Sequence, residues 1–114
     1  MSTLKNKVQL IGNAGNAPEI KTIESGKKVA NFSIATNEFY KNAKGEKVQT
    51  TEWHNITAWG KIADIVEKYV GKGKEVAIEG KLTSRSYETE SGEKRYVTEV
   101  VANEILLLGI KGEQ

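Results

Sequence analysis

Two tryptophans, Trp53 and Trp59, lie six residues apart in TEWHNITAWG, residues 51–60, a segment typical of one extended strand. Because strand side chains alternate sides, both indoles share a face with Asn55 and Thr57, while smaller and more apolar side chains occupy the other face. An aromatic ring on a polar sheet face can stack on a nucleic-acid base. A loop or partner subunit that covers the rings would give the same pattern, and this strand alone leaves both interpretations open.

The side chains that enzymes use most often are scarce. The sequence contains no cysteine and a single histidine, His54, which falls on the opposite, inward face of the same strand. Without cysteine there is no disulfide, no thiolate metal ligand and no thiol nucleophile. We therefore expect no catalytic residue, no metal and no cofactor, and we expect a structural role for His54.

The charge balance is close to neutral. The 17 Lys and Arg residues against 15 Asp and Glu residues give a formal charge of +2, too little to indicate a nucleic-acid-binding protein. Lys41, Lys44 and Lys47 share one predicted loop, and Lys72 and Lys74 form a second small cluster. Such lysines most often keep a loop solvated. Charge alone therefore gives little support for any one partner.

The length of 114 residues predicts one domain with its own core. Glycines and a single proline separate segments rich in Val, Ile, Thr and aromatic residues, which is typical of a small all-β fold. The predicted strands cover about residues 5–12 with 19–24, then 30–35, 51–60, 76–87 and 96–108, where the two segments on either side of the turn at 13–18 count as one strand. Arg85 and Tyr87 then fall on an outward face, unless a bulge at Gly80 changes the alternation. The last strand is apolar on both sides, which predicts burial on both sides.

A helical period occurs at residues 62–69, where Ile62, Ile65, Val66 and Tyr69 fall at i, i+3, i+4 and i+7. Glycines bound this segment on both sides. The predicted order of elements is that of the OB-fold, an all-β, five-stranded Greek-key barrel with one short α-helix between strands 3 and 4. Such barrels bind oligonucleotides or oligosaccharides, and the fold alone does not decide the function.

Short motifs along the chain occur in a specific order and at a specific spacing. They are NKV at 6–8, LIGN at 10–13, PE at 18–19, VANF at 29–32, AT at 35–36, TEWH at 51–54, GK at 60–61 with Ala63, IEG at 78–80 and YVTEV at 96–100. Through them the sequence resembles the bacterial single-stranded DNA-binding proteins over about residues 6–108. Each motif is weak alone, whereas the ordered set is specific to this family.

The resemblance implies sequence-independent binding and protection of single-stranded DNA in replication, recombination and repair, with no catalysis. It also implies assembly as a homotetramer in preference to a dimer. The polar N-terminal residues and the lack of a long apolar stretch predict a cytoplasmic protein, which we expect to be nucleoid-associated.

The resemblance further implies which residues contact DNA. Bases would stack on Tyr40, Trp53, Trp59 and Tyr87, and more weakly on the two tyrosines, which stand where many family members carry tryptophan. The predicted phosphate contacts are Lys7, Lys41, Lys44, Lys61, Lys72, Lys74, Arg85 and Arg95. For each lysine a solvated surface role is an equal alternative. Arg85 ranks first, because a guanidinium can both pair with phosphate and stack on a base.

Two features concern partners. By the resemblance, His54 lies at one subunit contact and Glu75 is a candidate at the other. Family members typically continue into a Gly, Pro and Gln rich linker with an acidic tip that recruits other proteins, and this sequence ends at Gln114 without one. We predict an OB-fold domain over 1–110 and a disordered end over 111–114, and protein partners stay open. The alternative function is a tailless OB accessory protein whose aromatic face binds a protein partner.

Overall fold

The computed structural model describes residues 4–109 of the chain. Its elements are, in chain order, a 3-10 turn at Leu4–Asn6, β1 at Val8–Ala14, β2 at Glu19–Thr22, β3 at Lys28–Lys41, β4 at Lys47–Trp59, α1 at Lys61–Tyr69, β5 at Glu75–Glu88 and β6 at Lys94–Leu107. The predicted domain, 1–110, and the predicted disordered end, 111–114, reach beyond the described residues and stay predictions. Within residues 4–109, no helix is long and apolar enough to span a membrane.

Five strands close into a barrel. The strand order is β1-β5-β6-β4-β3-β2, and β1 also pairs with β3 through Asn13 and Ala14. The short strand β2 follows β1 along the same edge of β3 and extends the sheet outside the ring. The predicted OB-fold is confirmed, with α1 between β4 and β5, the third and fourth strands of the barrel.

The ring contains a parallel junction between β4 and β6. It consists of two registered pairs, Ile56 with Val100 and Thr57 with Val101. The antiparallel pairings of β3 with β4 and of β5 with β6 run nearly the full length of their strands. The barrel is thus two long hairpins that meet at a short junction and are closed by β1.

Aliphatic side chains fill the barrel. Ile34, Ile56 and Ile78 are among the largest fully buried side chains, and they come from β3, β4 and β5. The helix α1 packs on this core through Ala63 and Val66, which are also fully buried. The predicted amphipathic helix is therefore confirmed, with Val66 on its buried face, but the predicted inward position of Tyr69 is wrong, because its ring is 59% exposed at the last turn of the helix.

Two features fix α1 to the barrel. Gly60, which directly precedes the helix, has a φ of 61°, a conformation that residues with a side chain adopt only at a cost. From the start of β3, Nζ of Lys28 lies 2.6 Å from Oε1 of Glu67 and 2.9 Å from Oδ1 of Asp64. The hydrogen bond to Glu67, and then the one to Asp64, raise the pKa of Lys28 above its ordinary 10.5. The helix is thereby tied to the hairpin that carries both tryptophans.

A register shift interrupts the β5–β6 pairing between Glu79 and Gly80. Glu79 faces Glu104 whereas Gly80 faces Ala102, so the extra residue is Asn103 of β6. The alternation along β5 therefore continues without interruption. The predicted outward direction of Arg85 and Tyr87, at the end of β5, is therefore confirmed.

The prediction that the last strand is buried on both sides is wrong for the single chain. Val100 is buried, but Leu106 is 62% exposed. Leu106 faces Ala77 of β5, and Ala77 faces Ile11 of β1. These three residues, which we call the apolar row, share the outer surface of three neighbouring strands, because directly paired residues point to the same side.

Candidate nucleic-acid interface

The β3–β4 hairpin pairs without a register shift, from Val29 with Trp59 at the barrel to Lys41 with Lys47 at the tip. Paired residues of an antiparallel sheet point to the same side, so the odd-numbered residues of both strands share one side. We call this side the tryptophan face, because Trp53 and Trp59 lie on it, 61% and 39% exposed. The predicted placement of both rings on one surface, opposite the core side, is confirmed.

The loop between β1 and β2 supports the ring of Trp53. The amide of Gly15 donates a hydrogen bond to the carbonyl of Ser33 at 2.9 Å, which fixes the loop against β3. A Cβ atom at Gly15 would lie 2.8 Å from Cζ3 of Trp53 and 2.9 Å from Oγ of Ser33, so any other residue would require one of these side chains or the loop to move. The ring is therefore held against the loop while much of it stays open to solvent. A ring positioned in advance loses less conformational entropy when a base stacks on it.

Trp59 lies next to a cation. Nζ of Lys27, in the turn between β2 and β3, is 5.7 Å from the centroid of the Trp59 ring, within the range of a cation–π interaction. The fold therefore places a cation over one of the two exposed indoles. Sequence reasoning missed Lys27, because the turn reaches Trp59 only once β3 has paired with β4.

A polar network crosses the barrel surface beside the tryptophans. The hydroxyl of Thr57 lies 3.2 Å from Oδ1 of Asn31 and 3.0 Å from Oε2 of Glu99. Arg85 donates through Nε to Oε1 of Glu99 at 2.8 Å. The four residues belong to β4, β3, β6 and β5 respectively. The network therefore connects the two hairpins across their parallel junction.

Glu99 is the centre of this network, and its side chain is largely buried. The hydrogen bond from Arg85 holds the pKa of Glu99 below its ordinary 4.5; burial opposes this shift, and the hydrogen bond with Thr57 adds to it. The charged carboxylate positions the guanidinium of Arg85, which has five N–H donors and is itself exposed. Beside Arg85 lies an open groove of about 480 Å³, whose lining includes Asn55 and Ser33.

Tyr87 lies farther along β5, 48% exposed, and faces Arg95 of β6. Arg85 points to the same outward side, as the alternation predicted. Arg95 also lies 3.1 Å from Oε1 of Glu93. This end of the β5–β6 hairpin presents a ring with two guanidinium groups on the same side. The contacts of these three residues with DNA stay predictions.

The two neighbouring aromatic residues near the hairpin tip point to opposite sides. Tyr40 faces Val48, which places it on the side away from Trp53. Phe39 faces Gln49 and lies on the tryptophan face. A base can stack on Tyr40 only if the DNA strand passes round the edge of the hairpin. The role of Tyr40 stays a prediction. Sequence reasoning missed Phe39, although alternate residues counted back from Trp53 through an unbroken hairpin identify it.

Five of the predicted phosphate contacts are lysines in or next to loops and element ends. Lys41 ends β3 on the tryptophan face, Lys44 lies in the hairpin turn, and Lys61 begins α1 directly after the tryptophan strand. Lys72 and Lys74 lie in the loop before β5, and backbone hydrogen bonds join this loop to the end of β1. These five lysines lie at the hairpin tip, at the start of α1 and in the loop before β5. Their contacts with phosphate stay predictions.

Lys7 lies elsewhere. Its Nζ is 3.5 Å from Oε1 of Glu79, and Glu79 faces Gln9 on the same outer surface as the apolar row. This position groups Lys7 with the apolar row rather than with the tryptophans. Its contact with phosphate stays a prediction.

His54 is half-buried on the inward side of β4, where Nε2 lies 3.0 Å from Oγ1 of Thr36. Glu75 is exposed at the start of β5. Their places in subunit contacts stay predictions. Among residues 4–109, no group of three or more His, Cys, Asp or Glu side chains is arranged to hold a metal ion.

The chain is similar to known proteins along nearly its whole length. The family described as Single-strand binding protein family matches residues 5–108. The chain is 48% identical over 107 residues to Single-stranded DNA-binding protein 1 of Chlorobaculum tepidum, which covers 93% of this chain and 66% of that protein. It is 44% identical over 108 residues to the Single-stranded DNA-binding protein of Neisseria meningitidis serogroup A. This match covers 95% of this chain and 62% of that protein. The chain thus spans slightly less than two thirds of the length of these curated relatives.

A solved structure described as Plasmodium falciparum SSB complex with ssDNA has the same fold. Its TM-score is 0.83 at 36% identity, over 91% of this chain and 95% of that one. The barrel, its open tryptophan face and the match over residues 5–108 agree with one another. This chain therefore belongs to the single-strand binding protein family.

Proposed function

We propose that this chain binds single-stranded DNA without sequence preference and protects it, with bases stacked on exposed rings and phosphates next to lysines and arginines. The observation that carries the proposal is the pair of open indoles, Trp53 and Trp59, on one face of the β3–β4 hairpin. Support also comes from the relatives, which are described as single-stranded DNA-binding proteins, and from the Plasmodium falciparum complex with ssDNA. The proposed activity is binding, not catalysis.

Stacking supplies the larger part of the affinity in this proposal. A base on an aromatic ring contributes about 1–3 kcal/mol by alanine substitution, and any base can stack because every base has a π-face. Trp53 and Trp59 offer the larger rings, and Tyr87 and Tyr40 the smaller ones. The phosphate contacts add a contribution that weakens as the salt concentration rises.

The path that we propose crosses both hairpins. A strand stacked on the tryptophan face continues over the groove beside Arg85 and reaches Tyr87. Along this path it passes Asn55, an exposed neutral side chain on the tryptophan face. A neutral polar side chain is compatible with contacts to any base, as binding without sequence preference requires.

We also propose that the chain assembles as a homotetramer, with a dimer as the lesser alternative. The apolar row, Ile11, Ala77 and Leu106, forms a continuous patch that a second subunit would bury. The ion pair beside this row, Lys7 with Glu79, would lie at the border of the same contact. The remaining predicted contacts are at His54 and Glu75.

The cellular role that we propose follows from the ligand. Unpaired DNA arises in replication, recombination and repair, and a binder that ignores sequence can protect it in each of these processes. We accordingly place the protein in the cytoplasm, associated with the nucleoid.

A tryptophan-fluorescence titration tests the proposal. The chain contains only two tryptophans, and both lie on the proposed face, so the signal reports that face alone. Oligothymidine is added at low and at high salt, with duplex DNA as the matched control. We expect strong quenching by the single strand, weak quenching by the duplex, and partial retention of the single-strand signal at high salt.

Absence of quenching by the single strand would contradict the proposal. It would mean that the indoles are covered in solution, and the protein-partner alternative would then take first place. Equal quenching by duplex DNA would contradict the proposed preference for single strands. Complete loss of binding at high salt would assign the affinity to phosphate contacts in place of stacking.

A further inference from the structure

Phe39 extends the tryptophan face along the arm of the β3–β4 hairpin. The register is unbroken from the barrel to the tip, so Phe39 points to the same side as Trp53. The ring is 58% exposed, about as much as that of Trp53. Phe39 is thus an apolar ring that is exposed on the polar side of a hairpin, next to the proposed path of the DNA strand.

The surroundings of Phe39 are cationic. Nζ of Lys47 lies 4.6 Å from the centroid of the ring, and Lys41 faces Lys47 on the same side of the hairpin. The nearby acids are directed elsewhere: Glu38 lies on the opposite side, and Oε1 of Glu46 accepts a hydrogen bond from Nδ2 of Asn42. An aromatic ring with flanking ammonium groups is the combination that binds a base and its adjacent phosphates.

Hydrogen bonds stiffen the arm between the two rings. Oδ1 of Asn37 accepts a hydrogen bond from Nε2 of Gln49 at 3.1 Å and another from Oγ1 of Thr51 at 2.7 Å. All three side chains lie on the tryptophan face, with Asn37 and Thr51 between the two rings and Gln49 opposite Phe39. The arm therefore holds the two rings at a defined separation.

That separation fits one continuous strand. Gln49, which faces Phe39, precedes Trp53 by four residues on β4. Four residues of a strand span about 13 Å. At the spacing of about 3.4 Å between stacked nucleotides, this distance corresponds to about four nucleotides, and to fewer if the strand is stretched.

We propose that Phe39 is an additional base-stacking position, and that Lys41 and Lys47 contact the phosphates on either side of the stacked base. This inference rests on the proposed function and extends the single-strand path from the barrel onto the hairpin arm. Lys47 thereby joins the residues that contact DNA, in addition to those predicted from the sequence.

Oligonucleotide length separates this site from the barrel. Oligothymidines of about 4 and about 16 nucleotides, the two ends of the range for one OB-fold, are titrated against the full chain and Phe39→Ala. We expect Phe39→Ala to lower affinity for the long oligonucleotide about 5-fold, the lower end of base–aromatic stacking, and to leave the short one unchanged. Phe39→Leu, which keeps an apolar side chain but removes the ring, should behave like Phe39→Ala.

Tyr69→Ala is the matched control, because Tyr69 is equally exposed but lies on α1, outside the hairpin. Affinity for either oligonucleotide should not change. A direct readout uses Phe39→Trp together with Trp53→Phe and Trp59→Phe, which leaves a single indole at the tip. Quenching of this indole by the long oligonucleotide is expected.

Two results overturn the inference while leaving the proposed function intact. The first is an unchanged affinity of Phe39→Ala for the long oligonucleotide, and the second is an unquenched indole at position 39. In both cases Trp53→Ala must still weaken binding. If Trp53→Ala also has no effect, both the inference and the stacking mechanism fail. The two failures are therefore distinguishable in one set of titrations.

Discussion

Nε of Arg85 donates a hydrogen bond to Oε1 of Glu99 at 2.8 Å, while the other oxygen of the same carboxylate lies 3.0 Å from the hydroxyl of Thr57. One largely buried acid therefore orients a surface cation on β5 and a hydroxyl on β4. Arg85 is the more exposed partner, so a phosphate that approaches this surface meets the guanidinium before the carboxylate.

Glu99→Gln should reduce the loss of folding stability that occurs as the pH is lowered into the acid range. The pKa of Glu99 is lowered in the folded chain, first by the hydrogen bond from Arg85, so folding favours the charged form. The resulting stabilisation is present above the ordinary pKa of 4.5 and is lost as the pH falls through the folded value. Because Arg85 is exposed and water screens the pair, we expect at most about 1 kcal/mol at neutral pH.

Thermal unfolding at a series of pH values measures this effect. Wild type and Glu99→Gln should differ at neutral pH and converge in acid. Glu93→Gln is the matched control, since Glu93 pairs with Arg95 at the surface and both side chains are exposed. A difference between wild type and Glu99→Gln that is independent of pH would contradict the assignment.

Trp53→Ala and Trp59→Ala should each weaken binding of single-stranded DNA by about 1–3 kcal/mol, or about 5- to 150-fold. Each loss should exceed that of any single Lys→Ala change among the predicted phosphate contacts. Titration with oligothymidine at fixed salt measures the difference, and Lys68→Ala on the helix serves as the control. Affinities close to wild type in both tryptophan variants would end the stacking model.

Gly15→Ala should weaken DNA binding although it removes no group that contacts DNA. The added Cβ would lie 2.8 Å from Cζ3 of Trp53 and 2.9 Å from Oγ of Ser33, so the ring or the loop must move. We expect a loss of about 1 kcal/mol, part of the value of one stacked base. Gly71→Ala is the control, because a Cβ there meets nothing within 4 Å. Equal affinities for both variants would show that the support under Trp53 is dispensable.

Leu106→Glu and His54→Tyr should shift the assembly to smaller species at low protein concentration. Leu106→Glu puts a charge into the apolar row, and His54→Tyr enlarges a half-buried side chain at a predicted subunit contact. Analytical ultracentrifugation measures the distribution of species. Tyr69→Glu, which adds the same charge on the helix, should leave it unchanged. Sedimentation of both test variants as wild type would refute the proposed contacts.

Alternation along a strand made part of the interface predictable. The even spacing of Trp53 and Trp59 determined that they share a face, and Arg85 and Tyr87 share one for the same reason. These predictions needed only the period of two residues in a strand. They held on β5 because the extra residue at the register shift lies on β6.

Contacts between distant segments were not predictable in this way. Gly15 supports Trp53 across a separation of 38 residues, and Lys27 approaches Trp59 only after two strands have paired. To place Phe39 on the tryptophan face, one must know that the hairpin continues in register to its tip. The exposed side of β6 was misjudged because an apolar pattern indicates that a surface avoids water, not whether its own chain or another covers it.

The short parallel junction between β4 and β6 has a consequence for motion. Only the pairs at Ile56 and Thr57 are registered there, so the two long hairpins can separate at this line without losing their own ladders. Amide hydrogens at the junction should therefore exchange with solvent sooner than those inside either hairpin. A DNA strand lying from Trp59 to Tyr87 would cross this line and slow that exchange, so the ligand would hold together the two hairpins that bind it.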